Sequence, residues 1–389
     1  MTMIYALILF AVTYVLMLTF TKYRPYIALG SAVVFIATGM LPFDQIFGAI
    51  DWNVLLMIAG TMGLVQLFID SRMPARLADM IMLKVPNVQM AAVALALFAG
   101  IISAFVDNVA TVLMVAPVAL AICKKLKTNP VPFIIGIAVS SNLQGAATLV
   151  GDTTAIMLGS YADMSFLDFF WYKGRPGVFF AVELGAIASA LILAWLFRRE
   201  KDSIEQRGEL TPVTDYVPTV LLVGMIALLI SASFIPVKPD ITNGLICVSL
   251  FVIGMVYTFA RTRSADAFLG PIKSIDFETI GLLFGLFLVI GGITNMGVVD
   301  AAAGLLARMG GGNVFVIYTV IVWASVLFSA FIDNIPYVAT MLPVVTGLAS
   351  TLGIDPTLLY FGLLSGATLG GNCTPIGASA NITGIGILR

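Results

Sequence analysis

The sequence contains no histidine. That absence excludes imidazole metal sites, histidine general bases and histidine proton relays. Cysteine is scarce: Cys123, Cys247 and Cys373 share no CxxC spacing and imply no disulfide framework. Charge is scarce as well, at 11% of residues, where a soluble domain carries about 25%. The net charge of −1 says nothing about a partner, and no nucleic-acid patch, P-loop or low-complexity tail occurs.

What the chain has in excess is apolar surface, with 60% hydrophobic residues over 389 positions. Such a surplus needs lipid as its solvent. Thr2–Thr21, Pro25–Phe43, Val217–Ile235, Ile241–Ala260 and Thr279–Val299 are charge-free. Each is close to the roughly 20 residues that span a bilayer as a helix, and a helix satisfies its own backbone groups in hydrocarbon. The first run lacks a basic leader and a small-residue cleavage site, so it reads as a first span rather than a signal peptide.

The polar residues left inside these apolar stretches repeat. Ser103-Ala-Phe-Val-Asp-Asn108 recurs as Ser329-Ala-Phe-Ile-Asp-Asn334, and the register runs gap-free through Pro117-Val118 and Pro343-Val344. It then aligns Leu143-Gln-Gly-Ala-Ala-Thr-Leu-Val-Gly151 with Leu369-Gly-Gly-Asn-Cys-Thr-Pro-Ile-Gly377. Upstream, Asp51-Trp-Asn pairs with Asp276-Phe-Glu. Hydrophobic bias alone would match leucines and valines, not Asp-Asn and Thr-x-x-Gly. Self-similarity of this kind marks a duplicated unit.

The expected fold is therefore an all-α polytopic membrane protein of two repeats, at 1–200 and 217–389, joined by a charged cytoplasmic linker at 201–216. Each repeat opens with three spans and continues into a hairpin with Asp-Asn at its tip, at 88–123 and 312–350. A broken helix follows, at 130–160 and 355–387. A closing span at 176–197 ends the first repeat. Arg389 aligns with position 163, ahead of that closing helix, so its counterpart in the second repeat is expected beyond Arg389. With the N-terminus outside, only Lys173, Arg175, Lys238 and Arg308 fall in outside segments, and the other 16 of 20 basic residues lie inside. An odd number of crossings per repeat inverts one copy relative to the other. Inverted repeats with interrupted helices are a hallmark of secondary transporters.

The candidate site follows from the polar groups. Asp107-Asn108 and Asp333-Asn334 sit in apolar stretches with no polar loop, which favours re-entrant hairpins over pairs of full spans. Each Asp reads as a helix N-cap or as a ligand of an ion, because an ionisable group at membrane depth is a functional candidate by default. The stretches around Asn142, Thr148, Gly151, Asp152 and Thr153, and around Asn372, Thr374, Gly377, Ser379 and Asn381, read as unwound backbone lining a cavity or as close small-residue packing. Asp152 aligns with Ala378, so the two copies are not equivalent. The central motifs hold Asp107, Asp152 and Asp333 and no Lys or Arg, which favours a cation, a proton or a neutral solute over an unaccompanied dianion. Possible Na⁺ positions lie near Asp107/Asn108 and Asp333/Asn334. Asp152 and Glu183 are candidates for proton coupling, Glu183 equally for a hydrogen bond between helices. Cys373 reads as a small filler or as a soft contact for As(III).

At these motifs the chain resembles the ion transporter superfamily, which includes divalent anion–sodium symporters, arsenite efflux pumps, D-type Na⁺/H⁺ antiporters and the melanosomal P protein. Ser329–Thr340 with Gly370–Asn381 is most similar to the P-protein branch. Thr374-Pro-Ile-Gly is similar to arsenite pumps, and Gly151-Asp-Thr-Thr154 to the antiporters. Where dicarboxylate symporters carry Ser-Asn-Thr, this chain has Asp107-Asn108-Val109 and Asp333-Asn334-Ile335. The resemblance implies a homodimer in the cytoplasmic membrane, a transport domain moving against a scaffold, and ion sites between each hairpin tip and its broken helix. The expected activity is Na⁺- or H⁺-coupled exchange of a small ion or molecule, with arsenite or antimonite efflux and Na⁺-coupled citrate or dicarboxylate transport as alternatives. No cofactor is expected beyond Na⁺ itself. An intramembrane aspartyl enzyme is disfavoured: Asp107 and Asp152 are the only plausible dyad, Leu149 stands where the Gly-x-Gly-Asp motif needs glycine, and inverted repeats have no role in that chemistry. A channel shares the fold argument and differs only in lacking coupling between gradients.

Overall fold

The computed structural model describes residues 3–200, 202–203 and 210–389. Residues 201 and 204–209 of the expected linker lie outside the described residues. Three long helices open the chain. α1 (Met3–Thr19) and α2 (Arg24–Ala37) form a pair bent by 117°. The bend follows from sequence: Pro25 sits in the first turn of α2, where its missing N–H costs nothing. The short α3 (Ile46–Ala49) leads to α4 (Trp52–Asp70), whose N-cap Asp51 accepts from the Val54 N–H at 3.0 Å. The amphipathic α5 (Met73–Met82) then leads to the hairpin, α6 (Val88–Ser103) and α7 (Asn108–Leu126), and to the broken helix, α8 (Val131–Gly145) and α9 (Thr153–Tyr161). A two-stranded ribbon, β1 (Trp171–Tyr172) and β2 (Arg175–Pro176), precedes the closing α10 (Val178–Leu196).

The second repeat runs α11 (Val217–Ala232), α12 (Thr242–Thr262), α13 (Ala265–Lys273), α14 (Phe277–Asn295), α15 (Val298–Met309), α16 (Val314–Ser329), α17 (Asn334–Leu352), α18 (Thr357–Gly371) and α19 (Ser379–Leu388). Helices α14 to α19 each begin 225 or 226 residues after α4 to α9. Helices occupy the stretches expected as spans, hairpins and broken helices. Sequence reasoning missed α5, α15 and the ribbon, because short helices and two-residue strands give no run of spanning length. The ribbon is pinned to the start of α18 by Lys173 and Asp355 at 2.7 Å. That hydrogen bond, followed by those from Thr357, holds the Asp355 carboxyl down to about 2.

The protein is thus an all-α membrane protein of two inverted-topology repeats, and the packing repeats with the sequence. α4 packs on α12, and α14 packs on α2. Matched glycines allow both contacts. A methyl group at Gly60 would lie 2.5 Å from the Cys247 carbonyl carbon, and one at Gly285 2.7 Å from that of Ala28. Backbones touching through small residues are how membrane helices pack without a hydrophobic drive between them. Gly60→Ala is expected to destabilise the fold by about 1–3 kcal/mol, the usual cost of overpacking. Thermal unfolding in detergent measures it, and an unchanged Tm would mean that the helices part without strain.

Lipid-facing surface is plain on α10, where Leu184, Ile187, Leu191 and Trp195 are each more than half exposed. The buried core falls into two clusters. One gathers α6, α7 and α8 around Leu95, Val115 and Ile137. The other joins α4, α12 and α14 continuously to α17 and α18. The first hairpin therefore has its own core, while the second shares that of the neighbouring long helices.

Candidate functional site

Each hairpin tip is a helix end followed at once by a helix start. Asp107 caps α7, its Oδ2 accepting from the Val109 N–H at 2.9 Å and the Ala110 N–H at 3.2 Å. Asp333 caps α17 with fewer bonds, its Oδ1 accepting from the Ile335 N–H at 3.2 Å. The position matching Ala110 is Pro336, which has no N–H to give. The Oδ2 of Asp333 is turned to other partners: the Ser379 hydroxyl at 3.3 Å and the Arg24 guanidinium at 3.2 Å. The central motifs themselves hold no Lys or Arg, and the positive charge reaches the second tip from outside them. Arg24 comes from the corner between α1 and α2, far from the motifs in sequence.

Asp152 is the N-cap of α9, as unwound backbone between α8 and α9 requires. Its Oδ1 accepts from the Thr154 hydroxyl at 2.8 Å and the Ala155 N–H at 2.7 Å. Its Oδ2 is buried with no hydrogen-bond partner, although the whole residue is only 5% exposed. A buried carboxylate oxygen short of partners carries a desolvation cost, eased here by the neighbouring Asn108 side chain. Asp152 also lines a small void, about 10 Å³, with Thr61, Met62, Asp107, Gly151 and Thr153. That is about the space one water-sized particle needs.

The small void adjoins a larger cavity of about 200 Å³. Both hairpins and both broken helices reach it: Asp107 and Asn108, Asn142 with Asp152 and Thr153, Asn334, and Ser379. The facing wall is Gln66 and Ile69 of α4 with Asp276 and Thr279 of α14. Asp276 had entered the sequence reading only as a repeat marker, and its place on the cavity went unforeseen.

Of the remaining predicted residues Asn108, Asn142 and Gly151 line a void, while Thr148, Asn372, Thr374, Gly377 and Asn381 line neither and join them through hydrogen bonds and backbone contacts. Asn108 accepts from the Ser103 hydroxyl at 2.9 Å and donates to Asn142 at 3.4 Å. Asn142 donates to both Asn372 and Asn381 at 2.9 Å, tying the two broken helices together. Asn381 returns to the Gly371 and Thr374 carbonyls at 2.8 and 2.9 Å. Thr148 and Thr374 donate to the carbonyls of Ala104 and Ala330, the last residues before each tip. Gly151 and Gly377 lie against the same carbonyls. A methyl at Gly151 would stand 2.8 Å from the Ser103 oxygen and 2.9 Å from that of Ala104. One at Gly377 would stand 2.8, 2.9 and 3.1 Å from the oxygens of Gly371, Ser329 and Ala330. Each carbonyl ends a helix, where the dipole is negative. Two candidates stay outside this group: Glu183 is half-buried on α10, and Cys373 is exposed with its sulfur 3.6 Å from the Leu369 carbonyl. Neither lines the two voids.

A family model described as citrate transporter matches residues 7–366. An uncharacterized transporter of Mycobacterium tuberculosis is 30% identical, covering 99% of this chain and 91% of its own length. A Synechocystis transporter is 26% identical over 74% of this chain. The human P protein is 28% identical over 75% of this chain and 44% of its own length. The crystal structure of the Alcanivorax borkumensis YdaH transporter, described as having an unusual topology, superposes with a TM-score of 0.61. It covers 96% of this chain and 90% of that one at 14% identity, a likeness of fold.

Proposed function

The chain belongs to the citrate transporter family, and from that premise we propose that it is a secondary active transporter driven by Na⁺ or H⁺ through alternating access. The carrying observation is the unpartnered Oδ2 of Asp152 beside a void of single-ion size. Asp107 and Asp276 stand on the same cavity. Like charges on one cavity repel, and a pair 4 Å apart would do so by about 4 kcal/mol under an effective dielectric of 20. A bound Na⁺ or a proton removes that repulsion, and either can leave again. Asp152 is the coupling carboxylate in this reading, with Asp107, Asn108, Asn142, Gly151 and Thr153 around the ion.

The two hairpins are re-entrant in this reading and travel with the broken helices as one body. The helices α1 to α4 and α11 to α14 form the scaffold, and two copies of the chain pair through it. The larger cavity lies at the C-terminal end of α4 and the N-terminal start of α14. That is the side rich in Lys and Arg, so the state is inward-open, with the N-terminus outside the cytoplasmic membrane.

A second reading is favoured by the family match: citrate carried together with its cations. The carboxylates at the cavity oppose a bare trianion and accept an accompanied one. Arsenite loses support because Cys373 lies off the cavity. The test is flux in proteoliposomes, with Na⁺, H⁺, arsenite and citrate assayed side by side. An imposed Na⁺ gradient is expected to drive proton or citrate movement uphill. Flux that follows only its own gradient would sink the coupled-transport reading and indicate a channel.

A further inference from the structure

The two copies of the hairpin-and-break unit share one plan and carry opposite charge logic. In the first copy Asp107 and Asp152 border a cavity, which Asp276 at the start of α14 also lines. Among the described residues, no Lys or Arg forms a salt bridge with any of the three. In the second copy the place of Asp152 is taken by Ala378, and Pro336 withdraws one N–H from the tip. The carboxylate left there, Asp333, is met by Arg24 at 3.2 Å, with the two side chains only 9% and 14% exposed.

The arginine is aimed. Its Nε donates to the Met17 carbonyl at 3.2 Å, one of the last carbonyls of α1, while Nη1 reaches Asp333. The same helix grips the second hairpin again through Tyr14, whose hydroxyl donates to the Pro336 carbonyl at 2.6 Å and also meets Thr340. Among the described residues no corresponding clamp holds the first tip, which opens onto the cavity.

We infer that Arg24 is a tethered cation occupying the ion position of the second copy, so that each protomer keeps a single exchangeable Na⁺ site, the one at Asp107 and Asp152. This rests on the reading of Asp152 as a cation ligand. A guanidinium already within hydrogen-bond reach supplies the charge that a Na⁺ would bring. Adding Na⁺ beside it would set two positive charges side by side in a poorly solvated site. The tether also makes that charge permanent: it stays with the protein and adds nothing to the transported charge. A duplicated transporter thereby comes to bind one coupling cation where its repeat symmetry would provide two.

The experiment is equilibrium ²²Na⁺ binding to the purified full chain in detergent, scored as Na⁺ per protomer. Wild type and Arg24→Lys are expected to bind one, Arg24→Met two, and Arg24→Met/Asp333→Asn one again. In Arg24→Met, Na⁺ should also raise the Tm more than it does in wild type, because Asp333 then gains a counter-ion it otherwise lacks. Arg24→Met holding at the wild-type stoichiometry, with no larger Na⁺-dependent Tm shift, would overturn the inference and leave Arg24 as a latch between helices. Should that variant fail to fold, Asp333→Asn decides: it keeps Arg24 and is expected to retain the wild-type stoichiometry even where its transport slows, and loss of a Na⁺ would overturn the inference. A wild type that binds no Na⁺ sinks the reading of Asp152 instead. In that case a gain of one Na⁺ in Arg24→Met still supports the role of Arg24, and its absence refutes it.

Discussion

Asp152→Asn is expected to weaken Na⁺ binding by roughly 30-fold to several thousand-fold, the 2–5 kcal/mol typical of truncating one partner of a buried charge pair. The variant keeps the volume and the cap on α9, since the amide oxygen can still accept from Thr154 and Ala155 as Oδ1 does now. What it loses is the charge on Oδ2, the atom with no partner. Protons and Na⁺ compete for that oxygen in this reading, so the sign of the pH dependence is fixed. Raising the pH from about 5 to 9 should strengthen apparent Na⁺ affinity in wild type until the carboxylate is fully ionised. In Asp152→Asn the profile should flatten. Asp107→Asn and Asp333→Asn should each impair transport, and unequally, because Asp107 lines the cavity while Asp333 is engaged by Arg24. Na⁺ titrations by calorimetry across that pH range decide the matter. A wild-type affinity indifferent to pH, or an unchanged profile in Asp152→Asn, removes Asp152 from the coupling.

The residues that carry these expectations were unequally legible in the sequence. Asp107 and Asp333 stood out because an acid inside an apolar run has no reason to be there unless capped or used, and they prove to be N-caps at the two tips. The breaks at Gly151 and Gly377 were legible for the same reason, as polar and glycine residues where hydrocarbon contact would be expected. Arg24 was read as a loop charge of the inside segment. Nothing local distinguishes it from Lys22, because its meaning comes from the bend between α1 and α2 that brings it to Asp333. Asp276 was visible as half of a repeat marker, and only the packing of α14 beside α4 and α17 sets it on the cavity. Periodicity recovers elements whose signal is local. It cannot recover a partner that a three-dimensional corner supplies from 309 residues away.

Gly151→Ala should lower Na⁺ affinity by about 10- to 100-fold, the usual loss when a group that orients metal ligands is disturbed. Gly377→Ala should leave it near the wild-type value. The two substitutions create clashes of one kind, tighter at Gly151, where the methyl would stand closer to the Gly145 oxygen than the 2.8 Å that separates one at Gly377 from the Gly371 oxygen. Each added methyl would press on two carbonyl oxygens at the end of a hairpin helix, Ser103 and Ala104 in one copy and Ser329 and Ala330 in the other. A third oxygen, from Gly145 or Gly371, closes each pocket. These are backbone atoms, so relief requires the tip to retreat from the break. The cost in stability should therefore be about 1–3 kcal/mol or more, and larger for Gly151→Ala. The consequences for binding should differ, because the first tip carries Asp107 to the void beside Asp152 while the second carries Asp333 to Arg24. Retreat of the first tip removes ligands from an exchangeable ion. Retreat of the second loosens an internal ion pair. Thermal unfolding in Na⁺-free detergent followed by ²²Na⁺ binding separates the two effects. Equal loss of Na⁺ binding in both variants would show that the two copies act alike. Wild-type binding in both would show that the approach of tip to break matters for folding and not for the ion.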